Sequence, residues 1–405
     1  MTLRPYWGGA LMRIGFGVLA VLASQLLSST NVLAQDAATS TTAVISAPIQ
    51  TAEPLSPIKF KGLLDVLEIG RKFDDKYFQS TNSLTVVTPR FDAYYNSWLS
   101  FDLEVSGIFV AGNTKNLYTT EGKGTDIVIL DEVAINIKPT KELEFRAGAL
   151  GTKINPILSI MSENCFIGTI QKYTFLSASE DLKLTATAEE AVPAAGTVTP
   201  GLINEAPNAY FVTGTLAADL AISSMNSKIR FASTGFQFGN LSSNVASDSR
   251  FIGNSPRSFD GIGDLSRYTI GFGGFETAVA FKTDWTKTLS TEFVGSTIIN
   301  QQAPSDRNNG AQAFINVKKK FQTFNIIPSF GMFNMAADVT PAAYTILPNR
   351  FHNRKGFTAE VDVQLEKQKL VFFASYTNAD VLSDSIYLAD RKMYNLGMEA
   401  KYDFL

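Results

Sequence analysis

The chain has 405 residues, 45% of them apolar and 18% charged, with a formal net charge of −3, one cysteine and one histidine. The charged fraction is below the roughly 25% usual for soluble domains. The acidic balance argues against a nucleic-acid binder, which needs a basic face, and a single cysteine excludes an internal disulfide.

The first element is an apolar block, Ile14 to Leu27, after Arg13 and before Val32-Leu33-Ala34. At about 14 residues it is too short for a membrane helix, which needs ~20. The three parts match a secretory signal, so residues 1–34 are expected to be removed. Met12 is an alternative start. Removal takes the net charge from −3 to −5, because Arg4 and Arg13 go and no acid goes with them. No cysteine follows the leader to carry a lipid. Residues 35–57, rich in Ala, Thr, Ser and Pro, are expected to form a disordered periplasmic lead-in.

From Ile58 the chain alternates. Predicted strands cover 58–72, 83–95, 98–112, 125–138 and 142–151. In WLSFDLEVSGIF, Leu99, Phe101, Leu103 and Val105 share one face, and Ser100, Asp102, Glu104 and Ser106 the other. Segment 172–192 supplies two further strands if it turns around Ser179 to Asp181. Then come 209–221, 227–239, 266–283, 290–300, 311–320, 322–334, 356–366, 369–379 and 391–404. Residues 356–366 show strict period two: Phe357, Ala359, Val361, Val363 and Leu365 oppose Thr358, Glu360, Asp362 and Gln364. An even number suits a barrel with both ends in the periplasm, and sixteen is favoured over fourteen because the 348 residues from 58 to 405 then give about 22 per strand.

Connections alternate too. Asn96-Ser97, Pro139 to Lys141, Ser223 to Asn226, Phe321-Gln322 and Lys367-Gln368 are short. Between them lie long stretches: Asp74 to Asn82, Gly112 to Gly124, Gly151 to Gln171, Gly239 to Leu265, Gln301 to Gly310, Ala336 to Lys355 and Ala379 to Asp390. Short turns at one end and long loops at the other characterise a transmembrane β-barrel. A soluble β-sandwich also alternates, but the secretory leader and the long run of strands favour the barrel. So do aromatics near strand ends (Phe73, Tyr77, Phe78, Tyr94, Tyr95, Trp98, Trp285, Phe351, Tyr394, Phe404), which read as interfacial girdles. The expected fold is all-β, an antiparallel barrel over residues 58–405.

This layout resembles the diffusion porins of Gram-negative outer membranes. In general porins the loop after the fifth strand folds inward and narrows the pore; here it is GTKINPILSIMSENCFIGTIQ. Asn155-Pro156 looks like a helix start, and Ile157, Leu158, Ile160 and Met161 suit packing inside a barrel. Loop position carries over, with Lys153, Asn155 and Glu163 as constriction candidates. The porins' acidic loop motif does not. The closing strand YNLGMEAKYDFL alternates to its end, as the porins' last strand does, which the outer-membrane assembly machinery reads. Leu405 departs by following the terminal aromatic Phe404. The resemblance implies an integral outer-membrane protein, in contact with lipid and assembled as a homotrimer.

No catalytic constellation accompanies the barrel pattern. The only histidine, His352, sits in NRFHNRKG and reads as a solvated loop residue. Asp131-Glu132 and similar acid pairs are adjacent, so regular strands would point them to opposite faces. No Cys/His cluster proposes a metal, no cofactor is expected, and GFGG at 271–274 reads as a bulge. The polar faces nominate pore-lining residues: Arg146, Arg230, Arg267 and Lys282 on middle strands, with Glu144, Lys318 and Lys320 beside them. Asp102, Glu104, Glu360, Asp362, Glu399, Lys401 and Asp403 lie nearer the chain ends. Such a distribution either sets an acidic wall against a basic one or leaves scattered charges solvated in a wet lumen. The expected function is passive diffusion of small hydrophilic solutes and ions through a water-filled channel. A substrate-selective channel or receptor (for phosphate, a sugar or a metal chelate) and a structural surface barrel are the alternatives.

Overall fold

The computed structural model describes residues 58–404, apart from 77, 117–126, 152–154, 158–164, 180, 194–208, 251, 259–265, 346–351 and 384–387. The leader, the lead-in, Tyr77, Lys153, Glu163, Phe351 and Leu405 lie outside the described residues.

Sixteen antiparallel strands close into one barrel. They are β1 (Lys59–Asp74), β2 (Phe78–Tyr94), β3 (Leu99–Asn116), β4 (Ile127–Ile137), β5 (Leu143–Gly151), β6 (Cys165–Leu176), β7 (Leu182–Val192), β8 (Tyr210–Ile222) and β9 (Ser227–Gly239). After a small excursion come β12 (Phe272–Thr286), β13 (Leu289–Asn300), β14 (Asn309–Lys320), β15 (Asn325–Met335), β16 (Arg354–Leu365), β17 (Leu370–Val381) and β18 (Arg391–Asp403). The excursion holds helix α1 (Ser243–Arg250) and the two-residue strands β10 (Arg257–Ser258) and β11 (Ser266–Arg267), which pair only with each other. Closure satisfies every strand edge, which is the condition for a sheet to cross lipid. β18 pairs with β1 from Leu63↔Asp403 to Asp74↔Lys392.

Alternation has the expected physical meaning. Phe101, Phe231, Phe281, Phe293, Ile315, Phe330, Leu396 and Tyr402 are exposed on the outer surface. Their strand neighbours point inward and are polar in the half of the barrel nearest the short turns. No described helix is long and apolar enough to cross a membrane, so the chain crosses with strands.

The hairpin within 172–192 forms as β6 and β7, giving the favoured count of sixteen. Four local expectations fail. Residues 74–82 are not a long loop: β1 and β2 continue to a tight connection, with Asp74 paired to Gln79. β6 begins at Cys165, so the last seven residues assigned to the inward loop belong to the wall. The segment 266–283 is split, and its glycines at 273–274 lie in unbroken register; the register shift of β12 comes at Asp284/Thr286. Phe73 does not join an outer girdle but packs against an interior apolar cluster.

Candidate channel lumen

Seven of the eight candidate wall residues lie on the inner face of a barrel strand. Asp102 and Glu104 project from β3, Arg146 from β5, Arg230 from β9, Lys282 from β12, and Glu360 and Asp362 from β16. Arg267 does not: it lies on β11, away from the barrel sheet, paired with Arg257.

The walls bring opposite charges together instead of segregating them. Arg146 contacts Glu132 on β4, reaches Asp102 on β3 at 3.7 Å and donates to Asn136 Oδ1 at 2.7 Å. Asn136 in turn donates to Asp102 at 2.5 Å. One strand further, Arg90 pairs with Asp92 at 3.1 Å and with Glu104 at 3.7 Å. Lys172 approaches Glu144 at 3.5 Å, and Arg230 donates to Asp219 at 2.9 Å. At the closing seam Lys401 lies 2.6 Å from Glu399 and 3.5 Å from Asp65. Each pair lies within one strand or joins adjacent or near-adjacent strands, so acids and bases interleave along the wall.

Asp131 and Glu132 do not alternate. The β3–β4 register shifts at this point: Glu104 opposes Glu132, while Val105 opposes Leu130. The extra residue lets Asp131 bond Ser106, an inner-face residue, beside the inward Glu132. Two consecutive acids thus serve one wall, an outcome strict alternation hides.

The loop after β5 enters the barrel. Asn155 is fully buried, and its Oδ1 accepts the Ile157 backbone N–H at 3.0 Å, a local turn bond. Pro156 and Ile157 form one side of a cavity of about 300 Å³ whose other side is the inner face of β5–β9. Lys153 and Glu163, the other constriction candidates, fall outside the described residues.

The largest departure from the sequence reading is at the loop end. The inner face there is aromatic and aliphatic: Phe166, Phe211, Phe236, Phe238, Phe272, Ile298, Phe333 and Met335 are buried in one cluster with Val245 of α1, Val339 and Tyr344. Two loops, β9–β12 and β15–β16, fold inward to fill it. Tyr344 stacks on Phe238 at 5.7 Å and meets Phe166 edge-to-face at 5.1 Å.

The same loops are knitted by buried polar groups. Asn254 donates to the carbonyls of Ala337 (2.5 Å) and Thr340 (2.9 Å) and accepts from the Ala342 N–H at 2.7 Å and the Tyr268 hydroxyl at 3.1 Å. Asp338 accepts from the Ser255 N–H at 3.0 Å and pairs with Arg307 at 3.4 Å. His352, expected in solvent, is fully buried, with Nε2 2.9 Å from Thr340 Oγ1. Burial pushes its pKa down to about 3, so it is neutral. Burial likewise raises the Tyr268 and Tyr344 phenols and the Asp338 carboxyl above their ordinary values. His352 thus fastens a cap in its neutral form. Among the described residues no cluster of His, Cys, Asp and Glu could hold a metal.

No protein-family model and no curated protein matches the sequence. Solved structures do. OprB of Pseudomonas putida superposes with a TM-score of 0.53 at 12% identity, over 85% of this chain and 94% of that one. The chain has the fold of an outer-membrane porin. The outer-membrane channel DcaP of Acinetobacter baumannii gives 0.47 at 10% identity, covering 86% and 97%. Within the porin fold, sequence had located the polar lower wall and the inward loop after β5. It missed the cap, whose only sequence signal was the weakened alternation of SKIRFASTGFQFG, where both faces carry phenylalanine.

Proposed function

We propose that the protein is an integral outer-membrane channel for passive diffusion of small hydrophilic solutes and ions in a Gram-negative cell. One observation carries the reading: the barrel is apolar outside while its inner wall from β2 to β9 is lined by ion pairs and hydroxyls. Such a wall is stable only in water, because an unsolvated charge costs several kcal/mol or more. Inward loops narrow this path, as a diffusion pore requires. The sole histidine of the sequence is buried in the cap beside Thr340 and Thr345, and the proposed role is transport. Export by a signal peptide cleaved near Ala34, with 35–57 as a periplasmic lead-in, fits this destination.

The assembly proposed is a homotrimer. On the outer face of β1 and β2, Glu68 bonds the Ser83 and Thr85 hydroxyls beside Gly70. A carboxylate there is better covered by a neighbouring protomer than by lipid tails. Detergent-solubilised protein should run at three times the chain mass in light scattering; a monomer would exclude the trimer. Reconstituted into planar bilayers, the protein should give stepwise conductance in KCl. A silent barrel at saturating insertion would overturn the channel reading.

A further inference from the structure

The cavity beneath the Pro156–Ile157 tip combines features that a merely wet wall does not need. It is enclosed on one side by the inward loop and on the other by β5–β9. Its floor is hydroxyl-rich: Thr185 and Thr187 of β7 line it together with Thr213 and Thr215 of β8, Thr187 directly opposite Thr215. Its cations are unequal. Lys172 has Glu144 and Arg230 has Asp219, but Lys183, half-buried in the same lining, has no ion-pair or hydrogen-bond partner among the described residues. The register places Lys183 opposite Asp219, which Arg230 engages from its other side.

An ammonium held at the wall of a half-enclosed space, unpaired and next to hydroxyls that both donate and accept, is complementary to one chemistry. The carboxylate of a solute would take the Lys183 ammonium, a charge-assisted bond, while its own hydroxyl groups would bond the threonines. Neutral sugars would use the threonines alone. We propose that this cavity is a binding subsite for small hydroxy-carboxylates, with Lys183 as its anion anchor, and that it makes the channel selective for such solutes. The inference rests on the diffusion-channel reading and specifies its solute class.

Gluconate added to the turn-end side of single channels conducting KCl is the probe, with glucose as the neutral control. Gluconate should reduce the current saturably, and glucose only at much higher concentration. In Lys183→Gln the half-blocking concentration should rise roughly tenfold, as expected for one charge-assisted contact, while Lys183→Arg should retain sensitivity. Lys367→Gln, in an exposed turn, should behave as wild type. Absence of saturable gluconate block, equal block by glucose, or unaltered block in Lys183→Gln would each overturn the subsite while leaving the channel intact. Absence of any current would instead overturn the channel reading and the subsite with it.

Discussion

Tyr344 and Phe166 touch, ring centroids 5.1 Å apart, although β6, which carries Phe166, stands eight strands from β16 whichever way one counts round the barrel. The loop leading into β16 therefore spans the mouth and anchors on its far wall. A contact across the full width fixes the cap as part of the barrel and not as a surface ornament.

Replacing Tyr344 with alanine removes the ring contacts to Phe166 and Phe238 at a buried site. Large-to-small changes of this kind cost about 3–5 kcal/mol. The Tyr344→Ala barrel should still insert, since no strand pairing changes, but its open current should become larger and noisier. Single-channel recording checks this; an unchanged trace would mean the cap does not bound the path.

His352 gives the cap a pH dependence whose sign is fixed. Its native pKa is held at about 3, below the ordinary 6.5, by burial. The opened cap takes up a proton below about pH 6.5 and the closed cap does not. Its stability is therefore complete above that value, falls as pH drops towards 3 and amounts to a few kcal/mol in all. Protease nicking of the loops in reconstituted protein should rise steadily from pH 6.5 to 4. His352→Gln should flatten that profile.

Arg146→Gln leaves Glu132 and Asp102 without their cation on a wall exposed to permeating ions. Reversal potentials in a KCl gradient should shift towards cation preference, and the shift should shrink at high salt, where screening operates within ~3 Å. A shift towards anions would contradict the placement of this cluster beside the permeation path.

Phe404 closes the barrel. Its N–H donates to Gly62 O at 3.1 Å, and its ring meets Phe91 edge-to-face at 5.4 Å. Phe404→Ala should lower barrel stability by about 1–3 kcal/mol. It should also reduce the folded fraction that survives unheated SDS electrophoresis, with Phe404→Tyr close to wild type.

Legibility in the sequence followed the physics of each face. Where the inner wall is wet, as in β16 and β17, alternation is strict and strand limits were readable to within a few residues: 356–366 was expected and Arg354–Leu365 is found. Where the inner wall is covered by the cap, both faces are apolar and the period fades, so nothing local announces that residues 336–345 and His352 lie inside. His352 was misread for the same reason. Its neighbours in sequence are Arg350, Asn353 and Arg354, residue types that read as solvated, whereas Asn353 and Arg354 are buried with it and its hydrogen-bonding neighbours are Thr340 and Thr345. The two inward acids at 131–132 depend on a one-residue register shift, which no sequence periodicity reveals.

The aromatic inner belt has a consequence for anyone wishing to widen this pore. Cutting away residues 240–258 and 336–345 would leave a broad ring of phenylalanine and methionine facing the aqueous path. Water withdraws from such a ring, and a dewetted constriction blocks ions without any steric obstacle. A wider bore would then be an electrical insulator until Phe211, Phe236, Phe238 and Phe333 were exchanged for polar side chains.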